Sequence, residues 1–93
     1  MSTLRSEFLE VVSSSDTDYQ VIDLSGAVET VFTLDDLTTA GYLTNEPYSN
    51  SPRLYLADQG SNHLVTRSND NRLYWVSAGA TESKLLVWVI RRG

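Results

Sequence analysis

Leu4, Phe8, Val11 and Val12 fall at i, i+4, i+7 and i+8, a spacing that gathers them on one face and predicts an amphipathic helix over residues 3–13. Ser2 or Thr3 stands where a helix cap belongs, Glu7 and Glu10 fall on the water side, and Ser13-Ser14-Ser15-Asp16 ends the segment. Residues 19–24 and 27–32 are short β-prone runs, and Ser25-Gly26 between them suits a tight hairpin turn. Thr33 followed by Asp36 has the form of a capping box, Leu34 and Leu37 supply a buried stripe, and Gly41 stands at a helix C′ position. Together these predict a two-turn helix over 34–40, with Asp35 and Asp36 on the positive end of its dipole.

Beyond a loop over 44–52, broken by Pro47, Asn50 and Pro52, the texture changes. Residues 53–57, 63–67, 72–77 and 84–91 read as four β runs separated by turn compositions at hairpin lengths, which predicts a four-stranded antiparallel meander. Helices first and strands after define an α+β domain spanning 1–93, with a helical and loop half over 1–50 and a β half over 51–93. Phe8, Leu37, Leu54, Leu56, Val65, Leu73, Val76, Leu86, Trp88 and Ile90 are the expected core, with Trp88 as its largest member. The last run is apolar on both faces, Leu86, Trp88 and Ile90 against Leu85, Val87 and Val89, so it needs cover on each side.

Ninety-three residues suffice for one modest core. No run approaches the roughly twenty apolar residues of a membrane helix, so this chain is not expected to cross a bilayer, and residues 1–9 lack the basic start and apolar centre of a signal peptide. Residues 1–50 carry nine acids against one base, whereas 51–93 carry six bases against three acids, giving −8 and +3. Either the fold mixes the two halves, or the surface is dipolar and suited to docking on a copy of itself or another charged protein. In the second case Asp16, Asp18 and Asp23 would meet Arg67, Arg72, Arg91 or Arg92 across the contact. A basic cluster for nucleic acid is missing.

Catalytic chemistry finds few residues. Without cysteine there is no thiolate nucleophile and no disulfide. The single histidine, His63, has no nucleophile-elbow motif beside it and reads as a surface or turn residue. Asp16 with Asp18, and the group 58–62, offer oxygen ligands but do not match a calcium loop. Asp35 and Asp36 are helix-capping rather than an acid/base pair. The expectation is a protein that is not an enzyme, with no metal and no cofactor.

Leu37-Thr38-Thr39-Ala40-Gly41-Tyr42-Leu43-Thr44-Asn45-Glu46-Pro47, followed by a polar loop and Leu54-Tyr55, resembles the globular heads of type IV pilins and type II secretion pseudopilins. Those heads have a segment ending in the same Gly-Tyr-Leu and a proline before a β-meander, preceded by a helix and a variable loop. The apolar N-terminal helix, the glycine-glutamate processing region, the Asp-Pro-Trp-Gly loop and the stapling cysteines of that family do not occur here. The resemblance implies a non-enzymatic filament subunit at the cell surface or outside it, partnered by its own copies or by a separate helical pilin chain. Two further readings fit a small acidic protein. One is a phage-encoded virion decoration or adaptor protein or an inhibitor of host defence, acting in the virion or host cytoplasm. The other is a winged-helix regulator whose recognition helix ends within 33–43.

Overall fold

The computed structural model describes residues 3–35, 39–48, 53–57, 62–66 and 72–92, and these form eight β-strands and no helix. The strands are β1 (Leu4–Ser13), β2 (Gln20–Asp23), β3 (Ala27–Leu34), β4 (Gly41–Thr44), β5 (Arg53–Leu56), β6 (Asn62–Thr66), β7 (Arg72–Ser77) and β8 (Ser83–Arg92). They build two antiparallel four-stranded sheets, sheet A in the order β1-β8-β3-β6 and sheet B in the order β2-β7-β4-β5. Of consecutive strands only β4 and β5 are neighbours; every other connection crosses between sheets. This is the double-sheet jelly-roll arrangement. The α+β expectation is therefore replaced by an all-β sandwich.

The predicted first helix is strand β1. Its ten residues pair in one unbroken register with β8, from Leu4 opposite Arg92 to Ser13 opposite Ser83. A helix of that length is marginal alone, and the same residues also read with period two: Leu9 and Val11 face the core while Phe8 and Glu10 face out. The predicted second helix is absent where it can be inspected. Thr33 and Leu34 end β3, residues 36–38 lie outside the described part, and Thr39 and Ala40 are tied to neighbouring loops by backbone hydrogen bonds from Thr39 N to Glu82 O and from Ala78 N to Ala40 O. Gly41 is no helix cap. It opens β4 opposite Ser77 and Leu56, where a Cβ would collide with the Trp75 indole and lie 2.7 Å from the Val76 carbonyl oxygen.

The four predicted β runs of the second half all exist, but they do not form a meander. β5 and β7 join sheet B while β6 and β8 join sheet A, because each strand finds a partner from the first half. β3 lies between β8 and β6, and β2 and β4 flank β7. The Ser25-Gly26 turn is also present, with Gly26 at φ 73° and Ala27 N donating to Leu24 O. It joins strands of different sheets rather than a hairpin.

The core between the sheets is made by Ile22, Leu24, Phe32, Leu34, Leu43, Leu56, Trp75, Leu85, Val87 and Val89. Leu56 and Val76 are buried as expected and Leu73 is partly buried; Leu37 lies outside the described residues, as does the Val65 side chain. Phe8, Leu54, Leu86 and Trp88 are exposed, so the expected face of β8 is reversed. Both faces of that strand are apolar, and the facing sheet received Leu85, Val87 and Val89. Trp75, completely buried, takes the central place expected of Trp88 and donates its Nε1 hydrogen to Ser83 O at 3.2 Å.

One end of the sandwich is closed by serines. Ser13 on β1 accepts a hydrogen bond from Ser77 N on β7 at 2.9 Å and donates to Asp18 O at 2.6 Å, which joins the two sheets directly. Ser77 Oγ donates to Thr81 O at 2.6 Å. All three buried serines, Ser13, Ser77 and Ser83, have partners, so their burial carries no unsatisfied polar atom.

Truncating Trp75 to alanine is expected to cost about 3–5 kcal/mol, a large part of the stability of a domain this size. Trp88→Ala should cost markedly less. Urea unfolding of both variants checks the order, which reverses if Trp88 is the core residue.

Candidate functional site

Sheet A carries the clearest surface feature. Side chains of even-numbered residues on β1 and β8 point away from the core, and the register sets Phe8 beside Trp88, with Val31 of β3 on the other side of Trp88. The Phe8 and Trp88 rings stack with centroids 5.9 Å apart and planes 14° from parallel. Phe8 is 78% exposed, Trp88 42% and Leu86 41%. Phe8, Leu9, Val31, Thr33, Leu86, Val87 and Trp88 line an open groove of about 540 Å³ whose exposed surface is almost entirely apolar. One flank is ionic: Lys84 Nζ lies 3.8 Å from Glu10 and 4.0 Å from Asp35. An aromatic pair in an apolar groove has no means of polarising a bond or moving a proton, so its chemistry is that of apolar contact.

Sheet B is finished differently. Tyr42 and Tyr55 sit opposite each other with ring centroids 5.1 Å apart, and the Arg53 guanidinium lies 4.7 Å over the Tyr42 ring. The Tyr42 ring is thus engaged by a cation from the same chain, while Tyr55 remains exposed.

The charged residues singled out from sequence divide between the two ends of the sandwich. Asp16 is exposed in the turn after β1, near the serine end. In the same turn the Asp18 carboxylate accepts hydrogen bonds from Ser14 N at 2.8 Å, Ser14 Oγ at 2.9 Å and Gln20 Nε2 at 2.6 Å. These bonds, led by the Ser14 backbone N–H, hold Asp18 below the usual carboxylate range. At the opposite end Asp23, Arg72 and Arg91 come together. Asp23 and Arg72 are register partners, and Asp23 Oδ1 accepts from Ser25 N at 3.0 Å. That backbone bond, with smaller contributions from Arg91 and Arg72, also lowers the Asp23 pKa. Arg91 donates to Ser25 O at 2.6 Å and Asp23 O at 2.7 Å and pairs with Glu7 at 2.5 Å. Arg92 is exposed opposite Leu4, and Arg67 lies outside the described residues.

Acids of the first half and bases of the second therefore meet inside one chain, at Glu7–Arg91, Glu10–Lys84 and Asp23–Arg72, because β1 and β2 pair with β8 and β7. The sequence reading marked the two-sided apolar β8 but placed Phe8 in a helix core, and so missed the groove. The available signal was the alternation Leu4, Ser6, Phe8 along a strand that ends the sheet.

His63 lies near the start of β6, opposite Phe32, within the run 63–67 read as a strand. Among the described residues no three His, Cys, Asp or Glu side chains converge on a point that could hold a metal.

No family model matches this chain, and no curated protein matches it by sequence. Solved structures do match its fold. The Fe(II) form of HppE superimposes with a TM-score of 0.60 at 14% identity, over 92% of this chain and 43% of that one. A protein of the disulfide-linked pili of Bacillus endospore appendages gives 0.59 at 12% identity, over 99% and 90%. A cupin domain from Bordetella pertussis gives 0.58 at 12% identity, over 98% and 92%. The chain thus spans less than half of the iron enzyme and nearly the whole length of the other two. Likeness at these identities shows the fold, which is cupin-like. It overturns the type IV pilin and pseudopilin expectation, since the described residues hold no helix: Leu34 ends β3 and Gly41 opens β4. The filament reading and the winged-helix reading, which needs a helix ending within 33–43, fall with it, and the neighbours give no support to the phage reading. Cupin-fold neighbours include an iron enzyme as well as cupin domains, so the fold alone leaves catalysis open.

An iron site of the two-histidine, one-carboxylate kind does not fit this chain. It has one histidine, and the space between the sheets is filled by Trp75, Phe32, Leu56 and Leu85.

Because the Asp18 and Asp23 carboxylates have folded pKa values below 3.8, their ionised forms stabilise the fold above that value, and the contribution is lost as pH falls through the lowered pKa. The urea midpoint should therefore decline as pH drops below about 4. Asp18→Ala should flatten that decline, and an unchanged slope would place the acid sensitivity elsewhere.

Proposed function

We propose that this chain acts by protein–protein association through the outer face of sheet A and its β1 edge, without catalysis. The observation that carries this reading is Phe8, 78% exposed yet stacked on Trp88, beside an open sheet edge. The stacked pair steadies the β1–β8 ladder by about 0.5–1.5 kcal/mol, and covering it would in addition remove a large apolar area from solvent. The absence of cysteine and the single histidine support the non-catalytic part of the reading. A small-molecule role is disfavoured by the filled interior and by a groove with almost no polar atoms to orient a ligand.

The test is sedimentation velocity over a concentration series for the wild type, Phe8→Ser and, as a control on the other sheet, Tyr55→Ser. The wild type and the control should sediment faster as concentration rises, while Phe8→Ser stays monomeric and folded, with its unfolding midpoint modestly lowered by loss of the ring pair. Equal behaviour of all three proteins would overturn the assignment of this surface.

A further inference from the structure

We infer that the partner at this surface is a second copy of the chain, joined edge to edge by antiparallel pairing of β1 with β1 across a two-fold axis at Ser6. This rests on the association reading above and specifies its geometry. Among the described residues β1 ends sheet A, paired with β8 on one side and with no strand on the other. It is ten residues long, and Leu4, Arg5, Ser6, Glu7 and Phe8 are exposed in succession, so both faces of this half-strand are uncovered as well as its edge. A long exposed edge is a template for strand addition unless something blunts it.

The sequence of the exposed stretch decides the register. A two-fold axis perpendicular to the sheet pairs residues on the same face, so it must pass through one residue and set its neighbours opposite each other. Through Arg5 or Glu7 it would face like charges. Through Phe8 it would set Arg5 against Val11 and Ser6 against Glu10, and through Leu9 it would set Phe8 against Glu10. Through Ser6 it places Leu4 against the second copy's Phe8 on the outer face and Arg5 against the second copy's Glu7 on the inner face, each twice by symmetry. Arg5 makes no ion pair among the described residues, and the Glu7 side chain remains half exposed beyond its contact with Arg91. The added Leu4 covers the open flank of Phe8, so the apolar row Val31–Trp88–Phe8 continues across the seam. Sheet A becomes one continuous eight-stranded sheet.

Ser6→Cys tests the register directly, because the chain has no other cysteine. Paired at the axis, the two Cα atoms lie about 4.5–5.5 Å apart, within reach of a disulfide. Glu10→Cys, on the same face, puts its two sulfurs on residues about 26 Å apart in that register. Under mild oxidation Ser6→Cys should form a covalent dimer and Glu10→Cys should not. Arg5→Glu should weaken association at least about tenfold with an unchanged unfolding midpoint. Association of the wild type that Phe8→Ser abolishes, with no faster cross-linking of Ser6→Cys than of Glu10→Cys, would overturn the edge pairing and leave the association reading standing. A wild type monomeric at hundreds of micromolar, with no Ser6→Cys dimer, would overturn both.

Discussion

Pairing of the first strand with the last is the constraint on which the structure depends. β1 and β8 share ten register positions, from Leu4–Arg92 to Ser13–Ser83, the longest ladder in the molecule. β8 is also paired with β3 on its other side, so three strands of sheet A are aligned by one segment at the end of the chain. Closing a loop of nearly the whole chain has an entropic cost that rises slowly with length, and it is offset when Leu85, Val87 and Val89 meet Phe32, Leu34 and Trp75. Such non-local pairing places the chain among slow-folding β topologies.

The two ends of the sandwich are secured by different chemistry. At one, buried hydroxyls carry hydrogen bonds between sheets, with Ser77 N donating to Ser13 Oγ across 64 residues of sequence. At the other, the Arg91 guanidinium gathers the carbonyls of Asp23 and Ser25 and the carboxylate of Glu7, so the turn between β2 and β3 is tied to both central strands of the closure. The first end is dry and satisfied, the second is exposed and sensitive to charge. Between them Trp75, Phe32, Leu56 and Leu85 are buried together, and two such sheets can enclose a site or a packed core. Here the indole of Trp75 takes that volume, and Gly41 is glycine because the ring lies where a Cβ would be.

The proposed association uses the outside of the sandwich. The two outer faces differ in whether their aromatics are satisfied by the chain itself. The Tyr42 ring lies under Arg53 while Tyr55 stays exposed, and among the described residues Phe8 and Trp88 stack on each other without a cation. An edge strand next to the second pair, exposed on both faces over five residues, turns an apolar patch into a surface with direction and register.

Strand content in the second half was legible in the sequence, because β-branched and aromatic runs such as Arg72–Ser77 and Ser83–Arg92 are set apart by segments rich in Gly, Asn and Ser. That no thiolate is available followed from the absence of cysteine, which no fold can change. What each strand pairs with was decided by tertiary structure. Leu4, Phe8, Val11 and Val12 satisfy a helical period as well as a strand, and only the ladder offered by β8 selects between them. Likewise Leu85–Ile90 is apolar on both faces, so its sequence holds no information on which face turns inward. That choice fell to the facing sheet, where Trp75, Leu43 and Ile22 pack against Leu85, Val87 and Val89, leaving Trp88 to the surface where Phe8 meets it.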